Sequence, residues 1–159
     1  MKIKPSFLLL LLLALVLSGC GKNSDEGANV PVEEAREAAA DGLAIEIAAL
    51  TAEPSFIDWA QDGVDMQLLA LKNDGGQIQL AYNTCQSCAG SPYAYFEYAG
   101  GVLTCQNCGN RFGLDSVGRA AGGCNPKPVS NASVEGDVVV VPASELQAVA
   151  PEFKNWKAF

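Results

Sequence analysis

The chain predicts an all-β fold, a small sandwich or barrel with two cysteine loops and short helices near its ends. Three observations carry that reading: short segments of alternating apolar and polar residues, glycine-rich turns between them, and almost no long stretch with helical periodicity. Val64-Asp65-Met66-Gln67-Leu68 alternates as a half-buried strand should, and Gln77-Ile78-Gln79-Leu80-Ala81-Tyr82 alternates again. Asn73-Asp74-Gly75-Gly76 between them is a strong hairpin turn, because Asn, Asp and Gly tolerate the backbone angles such turns require.

Taken in order, Glu33 to Ala40 consists of strong helix formers, stopped by Asp41-Gly42, and predicts a short helix. Leu43 to Leu50 reads as a strand. Ser55 to Ala60 is a second, turned by Gln61-Asp62-Gly63 into the first alternating segment. Tyr93 to Tyr98 is an aromatic-rich strand, and Val102-Leu103-Thr104 returns after Ala99-Gly100-Gly101. Ala132 to Val134 and Asp137 to Val141 flank the turn Glu135-Gly136. Pro142 to Val149 predicts a short helix with Ser144 as candidate cap. Trp59, Phe153 and Trp156 read as packing residues, and Asp58, Asp62 and Asp65 as a solvated face.

The N-terminus has a different character. Lys2 and Lys4 precede an unbroken apolar run from Phe7 to Leu17. A membrane-crossing helix needs ~20 apolar residues, so this run fits the apolar core of an export signal instead. It ends in Leu17-Ser18-Gly19-Cys20, which resembles the processing site of bacterial lipoproteins. The resemblance implies cleavage before Cys20 and acylation of its thiol. The organisation that follows is a signal peptide over 1–19, a lipidated cysteine and flexible tether over 20–32, and one domain over 33–159. The expected location is extracytoplasmic, on a membrane surface, with lipid as a partner through acylated Cys20. Removing Lys2 and Lys4 from 10 basic residues leaves 8 against 18 acidic ones, a net of −10 (8 − 18). Such a balance argues against nucleic acid as a partner and against electrostatic binding to anionic lipid.

The remaining five cysteines carry the chemistry. Cys85 and Cys88 form one C-x2-C pair, and Cys105 and Cys108 form a second. Two intervening residues let the chain wrap a metal so that both thiolates face it. Small residues after the second cysteine free backbone N–H groups to aim at sulfur. Four thiolates suit zinc, a single iron or an iron–sulfur cluster. Structural disulfides are the plain alternative for exported cysteines, although C-x2-C bridges close very small loops and constrain the chain little. The chain has no histidine, which excludes haem attachment and His-ligated zinc hydrolase patterns.

Gly76 to Val141 resembles the Rieske domain in layout, with cysteine replacing both histidine ligands. A closer resemblance is to the FtrD-like family of membrane iron–sulfur proteins. It is carried by Ala81-Tyr82-Asn83-Thr84-Cys85-Gln86-Ser87-Cys88-Ala89-Gly90-Ser91-Pro92, by Leu103-Thr104-Cys105-Gln106-Asn107-Cys108, and by Gly122-Gly123-Cys124-Asn125-Pro126-Lys127-Pro128. The family resemblance implies iron–sulfur binding and a link to bacterial iron uptake. The Rieske resemblance places Cys124 on a third loop beside the metal, where it is a candidate additional ligand, hydrogen-bond partner, redox thiol or inert buried cysteine. The leading function is that of an electron carrier holding a [2Fe–2S] cluster or a single iron, working with a membrane transport or redox partner protein rather than as an enzyme. The alternatives are a zinc-ribbon-like structural or binding module of a transporter complex, and a thiol–disulfide protein using Cys124.

Overall fold

The computed structural model describes residues 36–39 and 42–158. The expected export signal, Cys20 and the expected tether lie outside the described residues. Eleven strands form three antiparallel sheets. The first sheet has the order β1-β2-β11-β10, from Arg36–Ala39, Gly42–Glu46, Val138–Pro142 and Ser133–Glu135. The second has the order β3-β4-β5-β9, from Ser55–Gln61, Val64–Lys72, Ile78–Cys85 and Pro126–Pro128. The third has the order β6-β7-β8, from Phe96–Ala99, Val102–Cys105 and Arg111–Gly113. One helix, α1 (Ala143–Val149), follows β11 and runs into a 3-10 turn at Ala150–Phe153.

The middle sheet has a core on each face. Met66, Leu68 and Ala70 of β4 and Leu80 and Tyr82 of β5 pack with Leu43, Ile45, Val139 and Val141 and with Leu146 and Phe153. The intervening residues Leu69, Leu71, Ala81 and Cys85 pack on Phe96, Leu103 and Cys105 of the third sheet. Side chains alternate across a strand, so a sheet between two layers buries both sets. That explains why β5 is buried from Gln79 to Cys85, whereas its alternating sequence predicts one wet face. Gln79 tolerates burial because its side-chain amide donates to the carbonyls of Asp115 and Val117, both at 3.1 Å.

Two expectations are corrected. Arg36–Ala39, inside the segment expected to be helical, is a strand paired antiparallel with β2, Ala39 opposite Gly42. A helix of under ~12 residues is marginal on its own, so an available sheet edge outweighs its propensity. Ser144 is not the cap of α1; the cap position is Pro142, with no side-chain hydrogen bond. The expected strand over Tyr93 to Tyr98 begins only at Phe96, while β4 and β5 extend beyond their alternating cores. The three-residue strands β8 and β9 escape sequence reading, since neither shows periodicity and two prolines demote β9. β9 lies at a sheet edge, where a missing N–H is harmless.

Candidate metal centre

Each cysteine pair begins at the end of a strand. Cys85 is the last residue of β5 and Cys105 the last of β7, and both are buried. Cys88 is half-buried and Cys108 exposed, so each loop presents one inner and one outer thiol. The pairing of β5 with β9 is irregular between Tyr82 and Cys85. Such irregularities re-aim the side chains that follow them, and here the following side chain is Cys85.

Short bonds fix the two loops to one another. Cys85 N–H donates to the carbonyl of Ala94 at 2.8 Å, and Gln106 N–H to that of Tyr95 at 2.8 Å. Cys105 stands opposite Phe96 in the β6–β7 ladder. Ser91 Oγ donates to Asn107 Oδ1 at 2.6 Å, from one loop to the other. Buried Asn83 joins the middle sheet to the third. Its Oδ1 accepts from Phe96 N–H at 2.7 Å, and its Nδ2 donates to Phe96 O at 3.2 Å and to Gln67 Oε1 at 2.7 Å. The amide thereby extends a β-ladder with a side chain.

The result is a group of four sulfurs. The Sγ atoms of Cys85, Cys88, Cys105 and Cys108 all lie within 4.8 Å of one another. Backbone N–H groups of Cys88 and Ser87 aim at the Cys85 sulfur, those of Cys108 and Asn107 at Cys105, and that of Asn110 at Cys108. Gly109 makes the second loop possible, since its φ of 72° is a conformation that L side chains adopt rarely. Burial pushes the Cys85 and Cys105 thiols up from their ordinary range. The Asn110 N–H, with contributions from neighbouring thiols, brings Cys108 down to about 7. Converging N–H donors and sulfurs are what a thiolate-bound cation requires: the donors offset charge on sulfur, and the cation holds the buried pair ionised. The donor set, all thiolate and without histidine, fits zinc, one iron or an iron–sulfur cluster.

Cys124 lies beside this group. Its side chain donates to that of Cys108, and Ser87 in turn donates to Cys124. The third loop is fastened across the other two. Gln86 Nε2 lies 3.1 Å from both Ala120 O and Asn125 Oδ1, and its Oε1 accepts from Gly122 N–H at 2.7 Å. Asn110 Nδ2 donates to the Cys124 carbonyl at 3.3 Å. Asn83, Gln86 and Asn110 are the residues that cysteine spacing alone does not single out, although all three sit within or beside the two cysteine motifs.

The residues expected to pack do so: Phe153 and Trp156 are buried and meet edge-to-face at 5.3 Å, and Trp59 is half-buried against the first core. Asp58 is not simply solvated, since its Oδ1 accepts from Gln67 Nε2 at 2.7 Å. Among the described residues no helix is long and apolar enough to cross a membrane.

No curated protein and no solved structure matches the chain. A family model does, described as "Membrane iron-sulfur containing protein FtrD-like", over residues 50–153. The match includes both C-x2-C loops and the Cys124 loop and spans most of the sequence. This chain therefore belongs to the FtrD-like family of membrane iron–sulfur containing proteins.

Proposed function

We propose that the protein is an extracytoplasmic lipoprotein that carries single electrons at a membrane surface, as an accessory to iron uptake or a related transport system. The observation that supports this most is the asymmetry of the four-cysteine group. Two sulfurs are anchored in the core, while Cys108 is exposed. Buried ligands hold the centre rigid, and an exposed one shortens the distance over which an electron leaves.

When bound, iron on four thiolates supplies a one-electron couple at low potential, because all-thiolate ligation adds negative charge. The chain's own residues do the rest. The strand ends of β5 and β7 fix the inner sulfurs, the loop N–H groups offset their charge, and Gln86 holds the third loop over the outer pair. Acylated Cys20 and the tether keep the domain at the membrane, where a transporter partner receives the electron.

The experiment uses full-length protein, reduced anaerobically with dithionite and mixed with ferric citrate beside a ferrous-specific chromogenic chelator. Reoxidation of the protein with matching Fe(II) release is expected, and its absence in Cys105→Ser. In the same cells Cys20→Ser moves the protein out of the membrane fraction. A protein that dithionite leaves unchanged overturns the electron-carrier reading. The second reading, a zinc-bound structural module, is favoured by the same closely spaced sulfurs, since zinc accepts four thiolates in the same arrangement.

A further inference from the structure

The spacing of the sulfurs bears on how many metal ions they hold. A thiolate bond of about 2.3 Å in tetrahedral geometry puts the four sulfurs about 3.8 Å apart around one ion. A two-iron core differs, because its thiolates are divided between two metals separated by a layer of bridging sulfide. Sulfurs on opposite irons then lie beyond roughly 5 Å, and those around a four-iron cube stand farther apart still. The four Sγ atoms here all fall within 4.8 Å of one another. That range encloses a single ion and is too short for thiolates on two irons.

We propose that Cys85, Cys88, Cys105 and Cys108 close around one metal ion as a mononuclear tetrathiolate centre without bridging sulfide, and that Cys124 stands outside that shell. The inference rests on the site being the iron centre described above and narrows its kind. The loops are tied at the short spacing by bonds that a larger core would have to stretch. Tyr95 O holds Gln106 N–H at 2.8 Å and Ser91 Oγ bridges to Asn107 at 2.6 Å, while Ala94 O, next to Tyr95, holds Cys85 N–H at 2.8 Å within the first connection. Cys85 and Cys105 are also built into the second core, packed among Leu69, Ala81, Phe96 and Leu103. Moving them apart would disturb that packing. Four thiolates fill a tetrahedral shell, so the fifth thiol is left over. Its position agrees, since Cys124 is not among the four closely spaced sulfurs and its loop is held separately, by Asn110 Nδ2 at the Cys124 carbonyl and by Gln86 Oε1 at Gly122 N–H.

The test measures iron, zinc and acid-labile sulfide on full-length protein and on Cys124→Ser, both purified without oxygen, with an EPR spectrum of the oxidised state. The expected result is one iron, no labile sulfide and a high-spin ferric signal, with unchanged stoichiometry in Cys124→Ser. Two irons with two sulfides overturn the mononuclear centre and leave the electron-carrier reading standing. One zinc without iron keeps the one-ion shell and overturns the carrier reading instead. A Co(II) titration of metal-stripped protein makes the count independent of what the cell loads. Saturation at one equivalent with tetrahedral absorption bands is expected, and saturation at two contradicts the proposal.

Discussion

Asn83 shows how much a single amide does beside this centre. It serves both backbone groups of Phe96 and the side chain of Gln67, while its own carbonyl accepts from Trp156 Nε1 at 2.9 Å. Asn83→Ala strands the two Phe96 backbone groups and the Gln67 side chain while leaving the backbone bond to Trp156 in place, and each unpaired buried group costs roughly 1–3 kcal/mol. A loss of about 2–4 kcal/mol in urea unfolding is the expected outcome. At Cys124 the effect is on the metal and not on the fold. Its thiol donates to the Cys108 sulfur, and hydrogen bonds to sulfur favour the reduced, more negative state. Cys124→Ala therefore lowers the potential, by roughly tens of millivolts, at unchanged metal content. The thiols also set a pH dependence. Cys85 and Cys105 lie above the ordinary thiol range because they are buried, so in the metal-free protein they hold their protons at neutral pH. Metal binding must expel those protons, and affinity in a competition assay rises steadily from pH 6 to 8. Affinity independent of pH would show thiols already ionised. The four cysteines that come together were legible in the sequence because C-x2-C is a local pattern with a local geometric meaning. Asn83 and Gln86 were not, because their partners Phe96, Ala120 and Gly122 lie 13 to 36 positions away and meet them only once the sheets stack.

Strand β5 connects the structure to the site. It pairs with β4 and β9, faces both cores and ends on Cys85. Gly118 approaches its backbone so closely that a Cβ there would run into the Leu80 carbonyl, and its φ of 71° disfavours any side chain. Gly118→Ala should cost at least about 2 kcal/mol, read as a lowered unfolding midpoint. The third sheet is the one built around the cysteines. Its strands are three or four residues long, and its core includes Cys85 and Cys105. Stripping the metal should speed amide hydrogen exchange in β7 and β8 far more than in β2 and β11, and a uniform increase would contradict this layout. The longer strands and the Asn73–Gly76 turn could be read from pattern alone, because alternation and turn chemistry are local; the turn expected at Glu135-Gly136 falls one residue later, at Gly136 and Asp137. The edge strand at Arg36–Ala39 could not, because it takes its form from the partner strand and not from its own propensity.

Across the whole molecule, charge is distributed unevenly. The chain holds 18 acidic residues, yet the loops 85–93, 105–111 and 120–128 contain none and carry Arg111 and Lys127. Four thiolates around a divalent or trivalent cation leave net negative charge, and carboxylates nearby would add repulsion to it. Clearing acids from the three loops removes that penalty while the rest of the surface remains acidic. Lys127 is itself held by Glu152 at 2.5 Å, which ties the third loop to the turn after α1. The molecule is thus a stacked β-domain whose strand ends and loops form one thiolate site. A spectroelectrochemical titration of the full-length protein, followed through its visible absorption, tests that account most directly. One reversible one-electron couple, abolished in Cys105→Ser, is the expected result. A colourless protein with stoichiometric zinc and no couple would contradict it.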